Sequence, residues 1–278
     1  MPTAVLKFGG EVVADAPRLA GVLADVRALT GEGWRFLLLH GGGPQATALQ
    51  ERLGMTPNKV GGRRVTDAPT LEVMKQVLAG QVSVDVVAAA QRAGLRAVGL
   101  TGVSDGLISA RRRPPIVVSG GGPEPVDYGL VGAIEEVRAE LLSHLWAGGF
   151  TPVLSSLSLA VDTEDPHTRG VYNINADTVA SKVAAVLGVD HLFLMTGVPG
   201  VLGDKDDPAT RIPRLTPAGA QTAIRDGIIV GGMIPKVEEA FSRLAEGIGA
   251  VHILGAGGGD LTAEARAPGS AGTVLVPR

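Results

Sequence analysis

RFLLLHGGGP, residues 35–44, decides the fold class. An aliphatic run of strand length ends directly in three glycines, and residues 44–53 continue with a helical pattern. The same order stands upstream, where AVLKF at 4–8 runs into Gly9 and Gly10 and a helical pattern follows over 17–30. Strand, glycine turn and helix in succession are the sequence sign of βαβ units and a parallel sheet.

Working outward, the alternation continues through a helix over 70–93, the strand RAVGL, and an Arg-, Pro- and Gly-rich stretch at 107–128 that reads as hairpins. A helix over 138–146, the strand TPVLSS, a helix over 177–187 and the strand HLFLM come next. Helices over 217–226 and 235–246, the strand AVHIL and GTVLV, read as an edge strand, complete the chain. No repeat of solenoid length is present. The polar segment VDTEDPHTRG, residues 161–170, marks a candidate lobe junction within one continuous sheet.

The 278 residues suffice for one large α/β domain or two lobes. Gly makes up 40 of them, clustered between aliphatic runs without a period, which excludes collagen and low-complexity disorder. With 25 basic and 28 acidic residues the net charge is −3, so no strongly basic face is available to follow a nucleic-acid backbone. Small molecules are the expected partners. The absence of Cys removes disulfides, thiolate zinc sites and thiol nucleophiles. No membrane span and no signal peptide are read, and a cytoplasmic location is expected.

The two glycine turns lie at the carboxyl ends of strands, where open α/β sheets bind ligands. Glycine lets backbone N–H groups approach an anion closely, although such turns also need glycine for backbone reasons alone. Neither turn fits GxGxxG or GxxxxGK[ST]. Only 6 Lys stand against 19 Arg, yet Lys7 and Lys236 both sit beside glycines, in KFGG and GGMIPK. A lysine is a compact charge suited to a phosphate, and equally an ordinary surface group at an element end. Two of the three Asn, Asn173 and Asn175, occur in YNINAD with Asp177. Their alternation would aim all three at one face if extended, while Asn175 or Asp177 could instead cap the next helix. In GGRRVTD, residues 61–67, an Arg could clamp a carboxylate with paired hydrogen bonds or be solvated. Arg111, Arg112 and Arg113 are read as solvated hairpin residues. The five His lack metal-ligand spacing, His40 at most satisfying the backbone of its turn, and no GxSxG elbow is present.

Taken in order, KFGGE, HGGGP, GRRVTD, RAVGLTG, DYGLVG, TPVLSS, YNINAD, GVPGVL, GGMIPKV and GAVHI resemble the amino-acid kinase family from residue 5 to 276. The resemblance implies a three-layer α/β/α sandwich around a mainly parallel open sheet in two lobes. Residues 1–172 would bind the acyl acceptor and dimerise, and residues 173–278 would bind nucleotide. It further implies transfer of the γ-phosphoryl of ATP to the side-chain carboxylate of N-acetyl-L-glutamate, forming an acyl phosphate in arginine biosynthesis. Lys7 and Lys236 would flank the transferring phosphoryl, held by Asp177. Gly9, Gly10, Gly42 and Gly43 would supply backbone donors, the first pair toward ATP and the second toward the acceptor. Arg64 would grip the acceptor α-carboxylate, and Asn173 with Asn175 its acetylamino end. Thr196, Gly197, Val198, Pro199, Gly200, Val201 and Leu202, with Ile228, Ile229 and Val230, would line the nucleotide pocket. Mg²⁺ would ride on the ATP phosphates, with no protein metal site. Relatives commonly carry Asp where this chain has Gly197.

Two rival expectations are a kinase of carrier-protein-linked aminoadipate and a catalytically silent amino-acid sensor. Because only Met1 and Pro2 precede the first strand, a homodimer without arginine feedback is expected. Its interface is expected on the apolar helix containing Val77, Val82, Val86 and Val87, a stripe that an ordinary core-facing helix would also show.

Overall fold

The computed structural model describes residues 1–118, 122–162, 169–204, 206–230 and 233–277, and the side chains of Pro235, Lys236, Glu239 and Arg243 lie outside the described residues. The N-terminal half contains β1 (Thr3–Phe8), α1 (Gly10–Ala14), α2 (Ala16–Gly31), β2 (Arg35–His40), α3 (Gly43–Arg52), β3 (Lys59–Val60), β4 (Arg63–Arg64), α4 (Ala68–Lys75) and α5 (Ser83–Arg92). It continues through β5 (Ala97–Gly102), β6 (Ile108–Arg112), β7 (Gly132–Val137), α6 (Glu140–Ala147) and β8 (Thr151–Ala160). Then follow β9 (Val171–Asn173), α7 (Ala176–Leu187), β10 (His191–Met195), β11 (Leu202–Asp204), β12 (Asp207–Arg211), β13 (Arg214–Leu215), α8 (Pro217–Arg225), α9 (Met233–Ala245), β14 (Ala250–Leu254), α10 (Asp260–Arg266) and β15 (Thr273–Leu275).

Eleven of the described strands form one sheet in the order β13-β15-β14-β10-β1-β2-β8-β6-β7, with β5 and β9 also pairing β8. The pairings of β1 with β2 and β10, and of β2, β5 and β6 with β8, are parallel. The mainly parallel sheet is therefore confirmed. Period-two alternation divides its side chains between two cores. Val5, Leu37 and Leu39 face α7 residues such as Val179 and Val183. Leu6, Phe8, Phe36 and Leu38 join the core of α2, which contains Val22, Leu23 and Val26. Helices thus cover both faces, giving the expected three layers.

Several expectations need correction. GTVLV is not an edge: β15 lies between β14 and the two-residue β13, which takes the edge. The helix over 70–93 is interrupted by a π segment, Gln76–Val82. Val77, Val82 and Val86 are fully buried in their own core, so they cannot form an interface, and Val87 packs partly buried against them. By length and composition the run Ala68–Arg92 could cross a membrane. Its buried Leu71, Val73, Leu78 and Ala90 instead make it a core helix. Of the candidate lobe junction, residues 163–168 lie outside the described residues. The Arg- and Pro-rich stretch contains β6 and an antiparallel bridge between Ile116 and Val126, but β6 takes its antiparallel partner, β7, from beyond the stretch.

Strand β1 positions the site. It has β2 on one side and β10 on the other, so the connections depart in opposite directions from its carboxyl end. Such a switch point opens a crevice where backbone and helix starts face a ligand.

Candidate active site

Lys7, next to last on β1, points into this crevice from a strand held on both sides. Its Nζ lies 2.9 Å from Asp177 Oδ1, and the two side chains are 13% and 43% exposed. Asp177 stands in the first turn of α7, where a carboxylate is favoured by the helix dipole. The pair holds an ammonium at the mouth of the crevice without removing it from solvent.

The glycine turns after β1 and β2 press against each other. A Cβ on Gly10 would meet Pro44 Cδ at 2.9 Å and Gly42 Cα at 3.0 Å. The amide of Gln45 ties them together, donating to the Gly10 carbonyl at 2.7 Å. His40 fixes the second turn from below. It is fully buried, and its Nδ1–H donates to the Gly41 carbonyl at 3.1 Å. Burial pushes its pKa down to about 4, so it is a neutral imidazole at physiological pH. The reading of His40 as a group that satisfies its turn is therefore right. Helix α3 starts at Gly43 with no side-chain cap, leaving its first N–H groups to the crevice.

A cleft of about 270 Å³ lies over these turns, lined by Lys7, Gly9, Gly10, Gly42, Gly43, Arg64, Asn173, Asn175 and Asp177. Arg64, on β4, donates to the Gly43 carbonyl at 3.0 Å, to Thr47 Oγ1 at 2.8 Å and to Gln50 Oε1. Burial lowers its pKa. Those contacts engage both terminal nitrogens and fix the guanidinium as a cation beside the second glycine turn. Asn173 is buried on β9, and its Nδ2 donates to Thr66 Oγ1 at 3.3 Å. Asn175 caps α7, its Oδ1 accepting from the N–H groups of Asp177 at 2.8 Å and Thr178 at 3.3 Å. The capping alternative thus holds for Asn175 even as it lines the cleft. Asn173, Asn175 and Asp177 do share that wall, but across a strand end and a helix start instead of one extended face.

A second cavity of about 140 Å³ adjoins the first, lined by Lys7, Glu11, Asp177, Ser181, Thr196 and Gly197. Lys7, Glu11 and Asp177 belong to both. Farther along, Val198, Gly200, Leu202, Ile228, Ile229 and Val230 meet around a slot of about 80 Å³ with Met233. Two residues expected there do not line it: Val201 is buried in the core, and Pro199 lies against Gly255. Lys236 falls on α9, whose neighbour Ala240 lines the second cavity, but its side chain lies outside the described residues.

Sequence reasoning did not single out Glu11, Lys59 or Tyr128 and read Arg113 as solvated, yet all four line the cleft, as does Arg63, the other arginine of GGRRVTD. Arg111 and Arg112 are indeed surface groups, paired with Glu135 and Asp127. Arg113 differs because its N–H donates to the Val131 carbonyl, which turns it toward the cleft wall. The signal that could have found Glu11 is its place directly after the glycine pair, at a helix start.

Residues 2–255 match the model of the amino acid kinase family. Acetylglutamate kinase from Sorangium cellulosum (strain So ce56) is 54% identical over 98% of this chain and 94% of its own length. Acetylglutamate kinase from Anaeromyxobacter dehalogenans (strain 2CP-C) is 50% identical over 99% of this chain and all of its own. Among solved structures, N-acetylglutamate synthase from Neisseria gonorrhoeae complexed with coenzyme A and N-acetyl-glutamate superposes with a TM-score of 0.80 at 24% identity, covering 100% of this chain and 60% of that one. Carbamate kinase from Giardia lamblia bound to AMP-PNP gives 0.69 at 16% identity, covering 100% and 99%. These two structures share the fold.

Proposed function

The chain belongs to the amino acid kinase family, and we propose that it transfers the γ-phosphoryl of ATP to the side-chain carboxylate of N-acetyl-L-glutamate, in arginine biosynthesis. The observation that carries this reading is the sharing of Lys7 and Asp177 by two adjoining cavities. A group transferred from one cavity to the other must pass the Lys7 ammonium.

In this reading the acceptor occupies the larger cleft and ATP the second cavity and the slot. A carboxylate oxygen of the acceptor attacks the γ-phosphorus, a P–O bond forms, and the bond to the β-phosphate oxygen breaks to release ADP. The nucleophile is already ionised at neutral pH, so no general base is required. Lys7 offsets charge on the transferring phosphoryl, and Lys236 offsets it from the nucleotide side. The Gly9, Gly10, Gly42 and Gly43 turns present N–H groups, Arg64 holds the α-carboxylate, and Asn173 holds the acetylamino group. Mg²⁺ would ride on the phosphates of ATP and would offset their charge during transfer. Glu11 and Asp177, oxygen donors suited to a hard cation, are the carboxylates lining both cavities.

The reading divides the chain into an acceptor lobe, residues 1–172, and a nucleotide lobe, residues 173–278, and places the enzyme in the cytoplasm as a homodimer. Support for the dimer moves from the buried valines to the exposed face of α5 beside β5. There Val84, 63% exposed, borders a depression with Ala79, Val87 and Leu100. Against carrier-linked aminoadipate stands the pairing of Arg111 and Arg112 with surface carboxylates, which leaves less free charge for an acidic carrier.

Trapping of acyl phosphate as hydroxamate, with ATP and N-acetylglutamate, glutamate, aspartate or aminoadipate, tests the proposal. Strong preference for N-acetylglutamate is expected. Preference for aminoadipate would overturn the acceptor assignment, and no product with any carboxylate would overturn the reaction.

A further inference from the structure

A charged network outside the lining of the cleft surrounds a turn at residues 269–272. Glu264 on α10 is fully buried. It accepts from His252 Nδ1 at 2.8 Å and from the N–H groups of Gly269, Ala271 and Gly272 at 2.7, 3.1 and 2.8 Å. Burial opposes a charge there, but the His252 and backbone hydrogen bonds prevail and hold the carboxyl below its usual range. Arg211, at the end of β12, grips the same turn through its carbonyls. Its guanidinium donates to Gly269 and Ser270 at 2.9 Å each, and to Gly272. An anion therefore collects the N–H groups of the turn while a cation collects its C=O groups.

The turn is coupled to the nucleotide slot by contact. The Arg211 stem lies against Gly200, where a Cβ would meet Arg211 Cδ at 3.1 Å and Thr273 Oγ1 at 2.6 Å. Val201 N–H donates to Thr273 Oγ1 at 2.9 Å, and the Thr273 hydroxyl donates to the Ile212 carbonyl at 2.6 Å. Ile212 N–H returns to the Val201 carbonyl at 2.8 Å. Gly200 and Leu202, on either side of Val201, line the slot.

We infer that Arg211 and Glu264 are positioning residues for the nucleotide: by fixing residues 269–273 they set the wall formed by residues 200–202, and with it the affinity for ATP. The inference rests on the slot being the nucleotide site proposed above. A preset wall binds more tightly because less ordering remains to be done on binding.

The test compares wild type with Arg211→Gln, Arg211→Lys and Glu264→Gln, using calorimetric titration with AMP-PNP and steady-state kinetics. In Arg211→Gln the charged donors are lost while most of the stem against Gly200 remains. Its Kd for AMP-PNP and KM for ATP are expected to rise about tenfold, the loss of a charge-assisted hydrogen bond. The KM for N-acetylglutamate should stay within about twofold, a split that general loss of structure would not give. Arg211→Lys should recover part of the loss, and Glu264→Gln should weaken nucleotide in the same direction. Because Glu264 is buried and its variant could fail to fold, the half-buried Arg211 pair decides. Unchanged nucleotide affinity in Arg211→Gln, or an equal rise in both KM values, overturns the inference alone. Failure of wild type to bind AMP-PNP overturns the nucleotide reading and the inference with it.

Discussion

The cleft over the glycine turns and the apolar slot beside residues 228–230, read above as acceptor and nucleotide sites, are built by opposite means. The cleft is made of charge and bare backbone: Lys7 and the two interlocked glycine turns belong to the central strands β1 and β2, and Arg64, on the separate β3–β4 ribbon, is fastened at three acceptors. The slot is made of aliphatic side chains, Val198, Ile228, Ile229 and Val230 on loops and Leu202 at the start of β11, with Val201 hydrogen-bonded to Thr273 elsewhere in the chain. Rigid elements suit a site that must place charges to fractions of an ångström, whereas a flat apolar base needs only a shaped wall. Damage on the cleft side should therefore appear in kcat or in acceptor binding, and damage on the slot side in ATP binding.

The strongest way to break this contrast is Lys7→Arg. The wider planar guanidinium cannot replace a point charge at the reacting phosphoryl, and kcat should fall about 10²–10³-fold, the equivalent of about 2.7–4 kcal/mol in the barrier, with KM little changed. The same loss is expected for Lys236→Arg under its proposed role. Steady-state kinetics showing wild-type turnover in either variant would remove that lysine from the chemistry.

Acid should weaken the support under the cleft. His40 has a folded pKa of about 4 against an ordinary 6.5, so the unfolded chain takes up a proton that the folded one refuses. Stability is fully present above pH 6.5 and is lost as pH falls toward 4, by on the order of 2–3 kcal/mol. Urea denaturation at stepped pH checks this, and His40→Asn should flatten the slope in that window. His191, at the start of β10 and hydrogen-bonded to His252, is likewise pushed down to about 4 by burial and adds to the same trend.

A smaller effect is expected from Arg64→Lys, which keeps the charge and loses the fork. The KM for N-acetylglutamate should rise about tenfold with the KM for ATP unchanged. An effect confined to ATP would move Arg64 across the divide. The smallest is Ile228→Ser at a residue 41% exposed, expected to raise the KM for ATP about threefold and to leave the acceptor alone.

The same contrast governs what could be read in the sequence. Strands β1 and β2 with their glycine turns and the YNINAD wall were legible because each is fixed by local chemistry. The five-residue α1, the three-residue β9 and the β11–β12 hairpin were not, since elements so short exist only through their neighbours. Glu264 gave no signal either. A carboxylate on a short helix reads as solvated until the turn at 269–272 folds back onto it. The valines of the 68–92 helix misled for a related reason, because an apolar stripe does not say whose core it fills.

The π segment Gln76–Val82 has an evolutionary consequence. A π turn holds one residue more than an α turn and takes it up locally, so the helices on either side stay in phase. Within the 25-residue run Ala68–Arg92, this is where the chain can gain or lose a residue and keep both Leu71 and Ala90 facing inward. A single-residue gap here between two related sequences is a change of winding, whereas a gap within α5 would rotate the downstream residues by about 100° and turn them out of the core.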